Sequence, residues 1–147
     1  MGKLILIAIA LAFTSSSALA EWKLLANAKQ LVGNGDQQHK VEFQLFLDDQ
    51  FRQATGGKVD FWLLKNYSEP QYSAGARAAT STISRYEISC VGQTFQILSS
   101  TDYAEPMGKG SRISSFGGPE DKTHALPPLP ITPSSTMAFL FNNVCSR

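Results

Sequence analysis

The sequence lacks most of what a catalytic or metal-binding protein displays. It has two cysteines and two histidines among 147 residues. The cysteines form no C-x-x-C motif and neither lies near a histidine, so the spacing of a zinc site or a redox pair is missing. His39 and His124 sit in polar, loop-like stretches, where a lone histidine is ordinarily solvated. H-E-x-x-H, G-x-S-x-G and a helix bearing paired carboxylates are all missing. Asp48-Asp49 lacks the alternate-residue ligand spacing of a calcium loop. Gly108-Lys109-Gly110-Ser111 lacks the upstream glycine of a phosphate loop. Together these absences point away from an enzyme, a cofactor and a resident metal.

An excess of one charge is also missing. The formal net charge is +1, and without the first 20 residues the basic and acidic side chains balance. Such a chain has no electrostatic reason to seek nucleic acid or an anionic membrane.

Long apolar runs are absent as well, except for the ten residues at 4–13 (LILIAIALAF). Ten are too few for a bilayer span, which takes about 20. Lys3 before the run and Ala18-Leu19-Ala20 after it complete the pattern of an export signal, with cleavage expected after Ala20. The expected mature chain is residues 21–147, one domain, periplasmic or secreted, with neither a membrane span nor a lipid anchor, because Glu21 is not a cysteine. Export places both cysteines in an oxidising compartment, and two cysteines allow one intramolecular disulfide, Cys90–Cys145.

Alternating patterns dominate what remains. EWKLL at 21–25 reads as a short first strand anchored by Trp22, and residues 32–38 read as a turn. Val41, Phe43, Leu45 and Leu47 alternate with Glu42, Gln44, Phe46 and Asp48 over 40–48, the period of a strand with one core face. Residues 49–58 form a polar connection, 59–67 (VDFWLLKNY) a further strand, and 68–79 a loop. Residues 82–110 organise the rest. Thr82, Ser84, Tyr86, Ile88 and Cys90 share one face, and Val91-Gly92-Gln93 turns the chain into a second run. There Phe95, Ile97, Ser99 and Tyr103 are expected on one face. Residues 109–116 are a weaker strand. Residues 117–133 hold five of the seven prolines and read as a strap without ladder structure.

Thr132-Pro133 offers a helix cap and a first-turn proline, and Met137, Leu140, Phe141 and Val144 make one apolar stripe. The expected fold is therefore α+β and mainly β: an antiparallel sheet of about five to six strands with one C-terminal helix packed on it and tied by the disulfide. Tyr67, Tyr72 and Tyr103, near proline-containing loops, with Arg85 and Lys109, are the candidate protein-binding surface. Arg77, Arg85, Lys109 and Arg112 make a modest basic face, which such a pattern more often gives as a solvated surface than as a binding one.

The order of these segments resembles the surface-adhesin protein E-like family, small exported proteobacterial proteins. The features that carry it are Val59-Asp60-Phe61-Trp62-Leu63-Leu64 with Tyr67, Ser84-Arg85-Tyr86-Glu87-Ile88-Ser89-Cys90, Phe95-Gln96-Ile97-Leu98-Ser99-Ser100-Thr101 with Tyr103, Pro106-Met107-Gly108, and Val144-Cys145. The resemblance implies a non-enzymatic, adhesin-like protein acting through contacts with host matrix, serum or bacterial envelope proteins. The chain departs from the lipidated member of the family in having no cysteine after Ala20. A periplasmic carrier of haem, lipid or sugar is the alternative expectation, and a small hydrolase or an enzyme inhibitor the remote one.

Overall fold

The computed structural model describes residues 21–33, 35–48, 52–54, 56–72, 78–117 and 126–146. The proposed export signal, Asp49, Arg77, residues 118–125 and His124 lie outside them.

Alternation of apolar and polar residues produces a sheet rather than helices, since it gives each strand one face to bury. The strands are β1 (Trp22–Val32), β2 (His39–Asp48), β3 (Arg52–Ala54), β4 (Lys58–Gln71), β5 (Ala79–Ser89), β6 (Thr94–Glu105), β7 (Lys109–Gly117) and β8 (Leu129–Pro130), followed by one helix, α1 (Thr136–Cys145). They pair antiparallel in the order β1-β2-β4-β5-β6-β7, with β3 added to β4 and β8 to β6.

Register sets the core. Leu47 faces Leu63, Phe61 faces Tyr86, Val59 faces Ile88, and Tyr86 and Ile88 face Ile97 and Phe95. On this face α1 lays Leu140 and Val144, both buried, with Met137 and Phe141 partly buried around them. Each fully buried side chain of this size contributes about 1.5–3 kcal/mol. Phe61 and Tyr86 stack with ring centroids 5.7 Å apart. The Cys90–Cys145 disulfide joins the end of β5 to the end of α1, with Cα atoms 5.7 Å apart.

Several sequence expectations are corrected. β1 runs to Val32, well past residue 25, because it pairs with β2 along its whole length, and Leu25 is accommodated as a bulge. Residues 52–54 of the polar connection pair with β4. β4 continues to Gln71 through Pro70. Pro70 lies beyond the last β2 partner and inside a register shift against β5, where a missing N–H costs no ladder bond. The expected single face of β6 breaks at Leu98: Ile97 pairs with Tyr86 but Ser99 with Arg85, so Ser99 and Tyr103 face away from Phe95 and Ile97.

The strap contributes two ladder residues, β8, and its Ile131 N–H donates to Gln93 O at 3.0 Å. The helix begins after Ser135, not Thr132. Ser135 Oγ accepts the Ala138 N–H at 3.1 Å and donates to Thr132 O at 2.6 Å. Ser134, with φ of +63°, separates Pro133 from the helical turn.

Candidate functional site

The two sheet faces differ in chemistry. Past Leu63 the helix-covered face turns polar. Lys65 pairs with Leu45 and Thr82, and its ammonium lies 5.2 Å from the centroid of the Phe43 ring. Burial holds that ammonium below the ordinary lysine value. Beside it Tyr67 OH and Thr82 Oγ1 are 3.4 Å apart, Thr82 donates to Asp102 Oδ1 at 2.7 Å, and Ser114 donates to Asp102 Oδ2 at 2.6 Å. Ser84 and Ser100 hydroxyls are 2.7 Å apart on the same face. Burial, opposed by the Thr82 hydrogen bond, raises the Tyr67 phenol. Both Asp102 oxygens are occupied by hydroxyls, so the arrangement braces β4, β5, β6 and β7 against one another rather than presenting a free base.

The opposite face carries an ion-pair ladder and an exposed aromatic. Arg85 binds Asp60 through Nε at 3.0 and 3.1 Å and through Nη2, and Lys58 meets Glu87 at 2.7 Å. The Asp60 hydrogen bond raises the Arg85 guanidinium further. Trp62 stands beside Arg85 in register and is 39% exposed. The 3-10 turn Pro106–Gly108 folds onto this face: the Met107 N–H donates to Asn66 Oδ1 and the Gly108 N–H to Ser81 Oγ, both at 2.9 Å. Gly108 has φ of +69°, and a Cβ there would come within 2.4 Å of Ile83.

A cleft of about 350 Å³ crosses β1, β2 and β4. Its lining comprises two registered rows, Asn27, Gln44 and Asn66, then Ala28, Phe43 and Tyr67, flanked by the paired Lys29 and Glu42 and by Ser68, one residue past the last β2–β4 partner. Ala28, Phe43 and Tyr67 turn their side chains into the core. They therefore give the cleft their main chain, and its walls are the polar side chains on either side of them. Gln44 Nε2 donates to Asn27 Oδ1 at 3.4 Å, and Lys29 pairs with Glu42 at 2.7 Å.

The residues of the expected protein-binding surface come from β4, β5, β6, β7 and the segment just after β4. Tyr67 is in the polar half of the core face, while Arg85 and Tyr103 lie on the opposite face on neighbouring strands. Lys109 opens β7 on the exposed side of the turn, and Tyr72, 78% exposed, follows β4. Arg112 faces Tyr103. His39 is exposed and bonds Glu69 at 2.6 Å. The cleft residues were visible in sequence only as the polar half of each alternating strand, with nothing to show which rows flank one another. Among the described residues no group of three or more His, Cys, Asp or Glu side chains is placed to hold a metal ion, and no helix is long and apolar enough to cross a membrane.

Solved structures of Haemophilus influenzae protein E share this fold. One crystal form is 20% identical with a TM-score of 0.53, covering 69% of this chain and 80% of its own. The protein from non-typeable Haemophilus influenzae is 16% identical with a TM-score of 0.51, covering 83% of this chain and 85% of its own. No functionally curated protein matches the sequence. The family model of the surface-adhesin protein E matches residues 31–146, from the end of β1 through the disulfide and α1. The chain belongs to the surface-adhesin protein E family.

Proposed function

We propose that this chain is an exported, non-enzymatic, adhesin-like protein that works through protein–protein contacts at the cell envelope or outside it. The observation that carries the reading is the family match, which spans the disulfide frame and the whole described sheet beyond β1. Tyr72, Tyr103, Arg85 and Lys109 are its contact residues, since tyrosine and arginine concentrate binding energy at interfaces. Tyr67 supports them from within the sheet. Residues 1–20 are the export signal, cut after Ala20, and 21–147 the functional domain.

A binding screen of the purified mature chain against matrix, serum and envelope proteins tests this. Saturable binding to one of them, weakened at least tenfold by Tyr72→Ala or Tyr103→Ala, is the expected result. No saturable partner in any of the three sets overturns it.

A further inference from the structure

The face opposite α1 carries more organised chemistry than a solvated sheet surface needs. We infer that β1, β2 and β4 form there a binding site for a neutral oligosaccharide. This goes beyond the protein-contact reading and stands without it.

Three observations converge. First, the cleft of about 350 Å³ is within the size range of small-ligand sites. Its walls hold carboxamides, Asn27 and Gln44 opposite each other and Asn66 beside them. A carboxamide both donates and accepts, which is what a hydroxyl requires of its partner. Asn66 Oδ1 is committed to the Met107 N–H, which fixes that amide at the rim of the cleft. Second, six charges of this face form three pairs, with Lys40, two residues before Glu42 on the same side of β2, outside them. Lys29 meets Glu42, Arg85 meets Asp60 and Lys58 meets Glu87. An uncharged polar ligand leaves all three pairs intact.

Third, the same face provides apolar surface for the C–H face of a sugar ring. Leu47 and Leu63 are core partners, so Asp48 and Trp62, one residue on in β2 and one back in β4, both belong to the face opposite α1, Asp48 buried there and Trp62 exposed. Trp22 pairs with Asp48, so both tryptophans of the chain belong to this face. Leu24 and Phe46 pair with each other on the way from Trp62 to the cleft. From Gln44 to Asp48 is four residues of strand, about 13 Å. A ligand spanning cleft and indole is therefore longer than one sugar ring. Stacking on Trp62 and hydrogen bonding at Gln44 would act at its two ends.

The test uses the purified chain against a panel of neutral oligosaccharides (glucans, mannans and N-acetylhexosamine oligomers), with sialylated and sulfated glycans as the charged arm. Because both tryptophans lie on the face, intrinsic fluorescence reads it directly. At least one neutral oligosaccharide should bind saturably, change the tryptophan emission and resist displacement by salt. Gln44→Ala and Trp62→Ala should each weaken binding at least tenfold, and Phe139→Ala, exposed on α1, should leave it unchanged. Gln44→Ala removes an outward polar side chain and keeps the test open if Trp62→Ala fails to fold. Three results overturn the proposal: no response to any neutral oligosaccharide, binding of charged glycans alone with displacement by salt, or wild-type affinity in both site variants.

Discussion

The hydroxyl of Ser81, fully buried in β5, accepts the main-chain N–H of Gly108 at 2.9 Å and donates to Glu105 O at 2.6 Å. One side chain thus holds both ends of the turn between β6 and β7. Ser81→Ala leaves the Gly108 N–H without this acceptor and should cost about 1–3 kcal/mol. Gly108→Ala adds a positive-φ penalty and a contact with Ile83, and should cost about 2 kcal/mol or more. Urea unfolding with an unchanged slope checks both. A loss below about 0.5 kcal/mol for each would show that the turn stabilises nothing.

Leu140 and Phe139 are neighbours with opposite exposures, fully buried and 41% exposed. Leu140→Ala opens a cavity beneath α1 and should lower stability by about 2–5 kcal/mol. Phe139→Ala should cost within about 0.5 kcal/mol. Equal losses in parallel denaturation curves would mean that α1 is not docked through the Leu140–Val144 stripe.

The disulfide closes a separation of 55 residues. Cys90→Ser with Cys145→Ser should lower stability by roughly 4 kcal/mol if the effect is loss of chain-entropy restraint. It should also release α1 first, since a helix of ten residues is marginal alone. Hydrogen exchange of the Thr136–Cys145 amides should then accelerate more than that of β4 or β5. Peptide mapping without reductant should show the two cysteines linked.

Lys65 makes the protein's stability depend on pH. Its ammonium titrates below 10.5 when folded because burial disfavours the charge. The unfolded chain therefore binds the proton more tightly, and folding at neutral pH bears the cost of desolvating a cation. That cost disappears as pH rises through the depressed value toward 10.5, so stability should climb over that interval. Burial raises Tyr67 and Tyr86 above their ordinary 10.0, so their unfolded forms ionise first and reverse the gain above that pH. Lys65→Met should raise Tm at neutral pH by roughly 2–4 °C and flatten the climb. A lower Tm would show that the stack on Phe43 outweighs the desolvation.

Where a residue's neighbours in sequence determine its surroundings, the fold was legible. Val41 to Leu47 alternate, and they occupy one buried face. Two cysteines left one intramolecular pairing, and it forms. The apolar stripe of α1 is the one that packs. What could not be read depends on partners distant in the chain. The bulge at Leu98 exists only against Arg85 and Tyr86, and it reverses the faces of everything after it in β6. Thr132-Pro133 satisfies the local rules of a helix start as well as Ser135 does, and Ser134 places the first turn after it. Asn27, Gln44 and Asn66 are ordinary polar positions until two registers set them in a row. The candidate site was therefore less legible than the core. Periodicity reports which way a side chain points and is silent on which strand lies beside it.

The bond between Cys90 and Cys145 encloses β6, β7, β8 and nearly all of α1 within one covalent ring. A protease that cuts once between residues 91 and 144 produces two polypeptides that stay joined. Such a nicked molecule should run as a single species without reductant and separate into two with it. Outside a cell, where peptidases are common and resynthesis is impossible, one cut in the proline-rich strap would not release the terminal helix from the sheet it covers.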